Sequence, residues 1–307
     1  MKLVSVTGHN GFVGSNLIPY LMNQNFEVTG VGRRTIPDAE YQQIAYDELP
    51  LHKCEALIHL AGKAHDLKGS GSSAEYFEVN TELTKNIFNT FLQSDATVFI
   101  YISSVKAAAD SIEGILYEDV EARPLTAYGQ SKLMAEEFLL HRILPKGKRV
   151  YVLRPCMIHG PGNKGNLNLL LQVIKKSLPY PLAAFENKRS LLSIQNLLFT
   201  INALINDSQI ASGIYNIADD EPLSTNEIVD ALGEALNKKA VKWRINPGLI
   251  RILASIGDRF PLPLNSDKLQ KLTESFVVNN DKIKKAMSIT NFSISSKEGL
   301  TYTALNI

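Results

Sequence analysis

The chain opens with Val4-Ser-Val-Thr-Gly-His-Asn-Gly-Phe-Val-Gly14, and the reading of this stretch decides the fold. Leu3, Val4 and Val6 form a hydrophobic strand, while Phe12, Val13, Leu17, Ile18 and Leu21 recur at helical spacing. Between the two stand Gly8, Gly11 and Gly14. Lacking a Cβ, they let the backbone turn tightly, lie against a pyrophosphate and bring the helix close to its strand. The freed amides at the helix start face the anion, assisted by the helix dipole. Strand, glycine turn and helix in this order predict a dinucleotide site.

Outward from that turn the pattern keeps alternating. Apolar runs at 3–7, 26–32, 56–60, 98–103 and 150–154 are separated by helical periodicity at 12–24, 75–93 and 128–144. Nearly continuous apolar strands between helices predict an α/β fold with a doubly wound parallel sheet covered on both faces. After Pro155 the texture changes to Gly- and Pro-rich loops, with helices expected near 166–177, 224–236 and 247–257. Strands expected near 189–194 and 214–217 return to the first sheet. The expected division is therefore 1–160 plus those two strands for the dinucleotide domain, with 161–188 and 218–307 forming a smaller C-terminal substrate-binding lobe. Lys68-Gly-Ser-Gly-Ser-Ser73 is read as a mobile loop near the strand ends where ligands bind.

At 307 residues the chain is long enough to bury a core without staples. Thirty-two basic residues against 31 acidic ones give a net charge of +1, so no overall excess grips nucleic acid or an anionic membrane. Cys54 and Cys156 are too few and too far apart for a disulfide framework or a zinc site. No histidine-carboxylate cluster has metal-site spacing, and no metal is expected. With no leader-like or membrane-spanning segment, the expectation is a cytoplasmic protein.

The second motif is Tyr128-Gly-Gln-Ser-Lys132, which puts a phenol and an ammonium on one helical face. A free tyrosine titrates near 10, so base work at neutral pH needs its anion favoured by about 4 kcal/mol. A cation at roughly 5 Å in an effective dielectric of about 20 supplies around 3 kcal/mol of this. A third piece, Phe99-Ile-Tyr-Ile-Ser-Ser104, ends a strand in hydroxyls that can face the ligand crevice or cap a turn. His59, flanked by Leu57, Ile58 and Leu60, reads as a satisfied core histidine. Lys146–Arg149 and Asp281–Lys285 read as solvated faces.

Glycine turn, strand-end serine and Tyr-x-x-x-Lys in this order resemble the extended short-chain dehydrogenase/reductases, a family of nucleotide-sugar epimerases, dehydratases and reductases. The likeness extends to Leu57-Ile-His-Leu-Ala-Gly62, Asn80-Thr81, Arg154-Pro155 and Gly160-Pro161-Gly162. It implies a Rossmann-type sheet, NAD(P) as cofactor and Ser104, Tyr128 and Lys132 as the catalytic triad. By the same carry-over Phe12, Val13, Asp47, Leu60, Ala61, Gly62, Asn80 and Pro155 line the cofactor site beside the glycines. It also implies a homodimer built on the helices near 75–93 and 128–144. Ser103-Ser-Val-Lys106, Lys63-Ala-His65, Lys164-Gly-Asn166, Lys188-Arg-Ser-Leu191 and Ser275–Ile283 look most like bacterial surface-polysaccharide enzymes acting at C4 of UDP-linked amino sugars. That likeness makes His65, Lys106, Asn166 and Arg189 the expected substrate contacts.

Four positions depart from the family pattern: Ala127 for a proline, His159 for a tyrosine, Ser193 for a histidine and Asn196 for an aspartate. Their expected effect is on the substrate lobe. Cofactor choice follows from the second strand, which ends Gly32-Arg33-Arg34 where a ribose-binding carboxylate would suit NAD. Two guanidinium groups suit a 2′-phosphate, so NADP(H) is expected over NAD(H). The leading expectation is a C4 ketoreductase for a UDP-4-keto-6-deoxy-N-acetylhexosamine. The alternatives are a UDP-glucose or UDP-N-acetylglucosamine 4-epimerase and a non-catalytic NADP-binding sensor.

Overall fold

The opening apolar run forms β1 (Lys2–Thr7), buried from Val4 onward, and the glycine turn leads into α1 (Phe12–Asn23). Asn25, in the left-handed region at φ 61°, reverses the chain into β2 (Phe26–Val31). The computed structural model describes residues 1–49, 53–63, 72–163, 167–260 and 264–306. Next come β3 (Gln42–Ile44) and β4 (Ala56–His59), then α2 (Ser73–Tyr76), a π-helical stretch (Phe77–Glu82) and α3 (Leu83–Gln93). After β5 (Val98–Ile102), the short β6 (Ile115–Leu116) precedes α4 (Ala127–Leu140) and β7 (Arg149–Pro155).

The second half contains β8 (Met157–His159), α5 (Leu167–Lys175), β9 (Leu191–Ser193), α6 (Ile194–Asn206), β10 (Gly213–Ile217) and α7 (Thr225–Ala235). It ends with α8 (Pro247–Gly257), α9 (Ser266–Thr273), β11 (Val277–Val278), α10 (Asp281–Ala286) and α11 (Ser296–Leu305).

Seven strands form one sheet in the order β10-β7-β5-β4-β1-β2-β3, with every pairing parallel. This is the Rossmann-type order. The chain winds from β1 out to β3, returns to β4 and winds the other way, so a crevice opens between the carboxyl ends of β1 and β4. Alternate strand residues feed two cores. Val4, Val6, Ile58, Ile100 and Tyr151 join Leu17, Leu21, Leu197 and Ile201 on the face covered by α1 and α6. Leu57, Phe99 and Val152 join Phe88, Phe91 and Leu139 on the face covered by α3 and α4. A third core, with Leu171, Leu191, Val229, Leu232, Ile250 and Leu300, holds the second lobe together.

One expected strand goes elsewhere. The run at 189–194 contributes β9, which pairs with β8 in a separate two-stranded sheet rather than with the main sheet. The free edge of β7 is already taken by β10, in register from Gly213 opposite Tyr151 to Ile217 opposite Pro155. Past Cys156 the chain leaves the sheet as β8, and this is the edge on which Leu191–Ser193 finds its hydrogen bonds. Most of the expected loop at 68–73 lies outside the described residues; Ser72 caps α2 by accepting from the Glu75 amide.

Candidate active site

Each glycine of the opening turn has a separate steric reason. Gly8 sits at φ +68°, and a Cβ there would lie 2.7 Å from the Ala61 nitrogen in the loop after β4. A Cβ at Gly14 would lie 2.6 Å from the carbonyl oxygens of both Gly8 and His9, so α1 can approach the turn this closely only with glycine. Gly11 is the N-cap of α1, and no side chain caps that helix. Its first-turn amides are left for an anion, and the cradle fits a dinucleotide pyrophosphate. Phe12 lines the crevice, and half-buried Val13 packs against the first core.

His9 turns inward, its ring packed where a Cβ on Gly30 or Gly32 would stand, and its Nδ1 lies 3.0 Å from the Tyr41 hydroxyl. Burial lowers its pKa, opposed by a hydrogen bond with the Arg34 backbone. That contact holds the end of β2 beside the glycine turn. Arg33 and Arg34 are exposed there, and Arg33 stands near enough to Tyr46 to act on its titration. Asp47, also exposed, follows Tyr46 in the turn after β3.

The Tyr-Gly-Gln-Ser-Lys stretch forms the first turns of α4. Thr126 caps it, its Oγ1 accepting from the Gly129 amide at 3.2 Å, while the Asp110 carboxylate accepts from the Leu125 and Thr126 amides at 2.6 and 3.2 Å. Ala127 is then the first helical residue, a position that suits proline and that alanine, a strong helix former, also fills. A Cβ at Gly129 would meet the Lys106 carbonyl oxygen at 2.4 Å. The missing side chain lets α4 press against the turn after β5 and brings Tyr128 to Ser104. Ser131 points inward, donating to the Tyr128 carbonyl at 2.8 Å and accepting from Asn80 Nδ2 at 3.0 Å.

Tyr128 hydrogen-bonds Ser104, and its ring meets Tyr76 edge-on at 6.1 Å. Burial raises the Tyr128 pKa, the Ser104 hydrogen bond lowers it, and Tyr76 pushes it up again. This reverses the expected direction. The Lys132 Nζ donates to the Ile102 carbonyl at 2.9 Å and sits 4.8 Å from the centre of the Tyr101 ring. Burial brings Lys132 down to about 8, against the upward pull of Glu136.

Glu136 and its partners carry a role the sequence reading missed. One turn beyond Lys132 on the same face, Glu136 is 1% exposed and accepts from Arg154 Nε at 3.0 Å and Nη2 at 2.5 Å. Ser103 Oγ donates to the same carboxylate. Arg154, 3% exposed, reaches across from β7. A fork-on-carboxylate pair this deep is rigid and directional. Its signal was present in the spacing: positions 128, 132 and 136 share one helical face.

The loop after β4 supplies the opposite wall. The Leu60 amide donates to the Thr7 carbonyl at 3.3 Å and the Ala61 amide to Thr7 Oγ1 at 3.2 Å. A Cβ on Gly62 would lie 3.0 Å from Asn80 Oδ1 and 3.1 Å from Lys132 Nζ, so glycine keeps the lysine in place. Asn80 is fully buried and clamps the loop, accepting from the Lys63 amide at 2.8 Å and donating to its carbonyl at 3.2 Å. His59 bridges Thr7 and Thr84 at 2.7 and 2.9 Å, and burial takes its pKa to about 3. It is a satisfied core histidine.

Phe12, Leu60, Gly62, Ser104, Tyr128 and Pro155 all border a single crevice of about 220 Å³. Lys106 and Arg189 stand near each other, each lowered in pKa through burial and each raised by Glu274. Lys106 Nζ donates to the Asp110 carbonyl at 2.5 Å and lies 4.5 Å from the Phe276 ring centre; Arg189 donates to the Lys271 carbonyl at 2.7 Å. His65 and Asn166, the other two expected substrate contacts, lie outside the described residues.

The remaining departures from the family pattern meet in one buried cluster. Asp219 accepts from the Ser193 amide at 3.0 Å and from Asn196 Nδ2 at 2.7 Å, and His159 Nε2 lies 3.7 Å from it. His159 Nδ1 lies 2.8 Å from Thr303 Oγ1. The three changes tie β8, β9, α6 and α11 together in the interior.

Residues 4–218 match the NAD dependent epimerase/dehydratase family. The UDP-glucose 4-epimerase of Vibrio cholerae is 32% identical over 259 residues, covering 80% of this chain and 78% of that protein. The GDP-6-deoxy-D-mannose reductase of Pseudomonas aeruginosa is 26% identical over 243 residues, covering 75% of this chain and 78% of that protein. The solved structure of a UDP-N-acetylglucosamine 4-epimerase from Bacillus cereus shares the fold, with a TM-score of 0.79 at 18% identity over 99% of both chains.

Proposed function

The chain belongs to the NAD dependent epimerase/dehydratase family, and from that membership we propose that it reduces the C4 ketone of a UDP-4-keto-6-deoxy-N-acetylhexosamine with NADPH. The observation that carries this reading is the pair Arg33 and Arg34, exposed beside the glycine turn where an NAD site would present a carboxylate. Guanidinium groups suit a 2′-phosphate, and a cofactor consumed in every cycle suits net reduction. The similarity to a 6-deoxysugar reductase supports the same direction.

The glycine turn, Arg33 and Arg34 would hold NADPH, which would supply a hydride for the C4 carbon. Tyr128 starts as the neutral phenol that burial favours, and its Oη gives the proton that the C4 oxygen takes up. Ser104 donates to that same oxygen as charge develops on it. Lys132, kept cationic at neutral pH with help from Glu136, favours the phenolate left behind until solvent returns the proton. Lys106 and Arg189 draw the UDP-sugar from the second-lobe side, residues 161–188 and 218–307 forming the substrate lobe. Exposed Met134 and Leu140 on α4 fit a homodimer seam with α3, and a monomeric mass in solution would count against it.

A second reading, a UDP-hexose or UDP-N-acetylhexosamine 4-epimerase, is favoured by the 32% identity to the Vibrio cholerae enzyme. Purified protein given UDP-glucose or UDP-N-acetylglucosamine without added reductant separates the two. The reductase reading expects unchanged sugar; steady formation of the C4 epimer would replace it with the epimerase.

A further inference from the structure

The overall charge of +1 hides a strong local imbalance. Between residues 238 and 260 stand six cations, Lys238, Lys239, Lys242, Arg244, Arg251 and Arg259, against one acid, Asp258. All six are exposed. The chain's single tryptophan, Trp243, lies in this stretch and is 54% exposed.

The helix that follows is α8, capped by Asn246, whose Oδ1 accepts from the Gly248 amide at 2.7 Å, and begun by Pro247. Only Ile250 and Ala254 of α8 are fully buried, against the second-lobe core. At 3.6 residues per turn, Leu249, Ile252, Leu253 and Ile256 fall within an arc of about 100°, and Phe260 continues the same line past the helix end. These side chains are 42–61% exposed. Scattered apolar side chains on a surface need no explanation, but a contiguous stripe of five does.

We propose that α8 is an interfacial anchor that docks the second lobe on an anionic lipid bilayer, its apolar stripe entering the acyl boundary and the flanking cations meeting the headgroups. Two features select this occupant. The stripe lies in a stretch of chain with net positive charge, in which Lys242 pairs with Asp230 at 2.6 Å and the remaining cations complement anionic headgroups and disfavour a second copy of the same face. At 11 residues, α8 is about 16 Å long, too short to cross a hydrocarbon core of about 30 Å and suited to lying in its surface. Behind the docked face, α8 packs on α9, whose Lys271 carbonyl accepts from Arg189.

Trp243 is a built-in reporter. The test mixes the full chain with vesicles of phosphatidylcholine and phosphatidylglycerol in equal parts, or of phosphatidylcholine alone, following tryptophan emission and co-sedimentation. The expected result is a blue shift and sedimentation with the anionic vesicles only, weakened by salt. Leu253→Asp and Ile256→Asp, both at exposed positions, each reduce partition at least about tenfold with an unchanged melting temperature. Lys239→Glu with Arg244→Glu removes the preference for anionic vesicles. Three outcomes overturn the proposal: wild-type protein left in the supernatant, Asp variants that bind as well as wild type, or a dimer that Leu253→Asp splits without any vesicle binding.

Discussion

The Lys132 ammonium donates to the carbonyl oxygen of Ile102 at 2.9 Å, tying the middle of α4 to the last residue of β5. The same strand continues into Ser103, which reaches Glu136, and Ser104, which reaches Tyr128. One helical face and one strand end thus hold each other in register through side chains of opposite and matched polarity. Local spacing brings the groups together, and burial sets their proton affinities.

Removing the phenolic hydroxyl isolates the proton donor. Tyr128→Phe is expected to lower kcat by about two to four orders of magnitude, the range of a lost general acid. NADPH affinity, measured by fluorescence titration, stays near wild type. Unchanged turnover removes Tyr128 from the mechanism.

The Glu136 carboxylate makes a prediction about pH. Lys132 titrates at about 8, cationic below and neutral above, so kcat/KM falls as pH rises through that value. Glu136 pulls Lys132 upward, and Glu136→Gln therefore moves the alkaline limb to lower pH. The same change leaves the Arg154 charge buried and uncompensated, costing about 3–5 kcal/mol in denaturant unfolding. A limb that stays in place after Glu136→Gln contradicts the coupling to Lys132.

Cofactor selection rests on the end of β2. Arg33→Ala or Arg34→Ala is expected to weaken NADPH about tenfold to a hundredfold, the value of a charge-assisted phosphate contact, with little change for NADH. Isothermal titration with both cofactors reads this directly. Wild-type protein that binds NADH as tightly as NADPH removes the premise.

Legibility in the sequence followed range. Gly8, Gly11 and Gly14 span one turn, and Tyr128 and Lys132 lie four apart, so local spacing was enough to read them. The alternation of apolar runs revealed the parallel sheet for the same reason. Glu136 and Arg154 stand 18 residues apart on different elements, and Asp219 gathers partners from positions 159, 193 and 196; only the fold brings these groups together. β9 has three residues and β6 and β11 two each, too short to show a period or to declare a partner. The net charge of +1 averaged away the basic stretch before α8.

Hydride delivery to C4 of a keto sugar is read most directly by isotope transfer. NADPH deuterated at the transferring position of its nicotinamide is mixed with a UDP-4-keto-6-deoxy-N-acetylhexosamine and the purified protein, and the product is read by NMR. The expected result is one deuterium at C4 for each NADPH oxidised. Product formed without label at C4, or no NADPH oxidation at all, would contradict it.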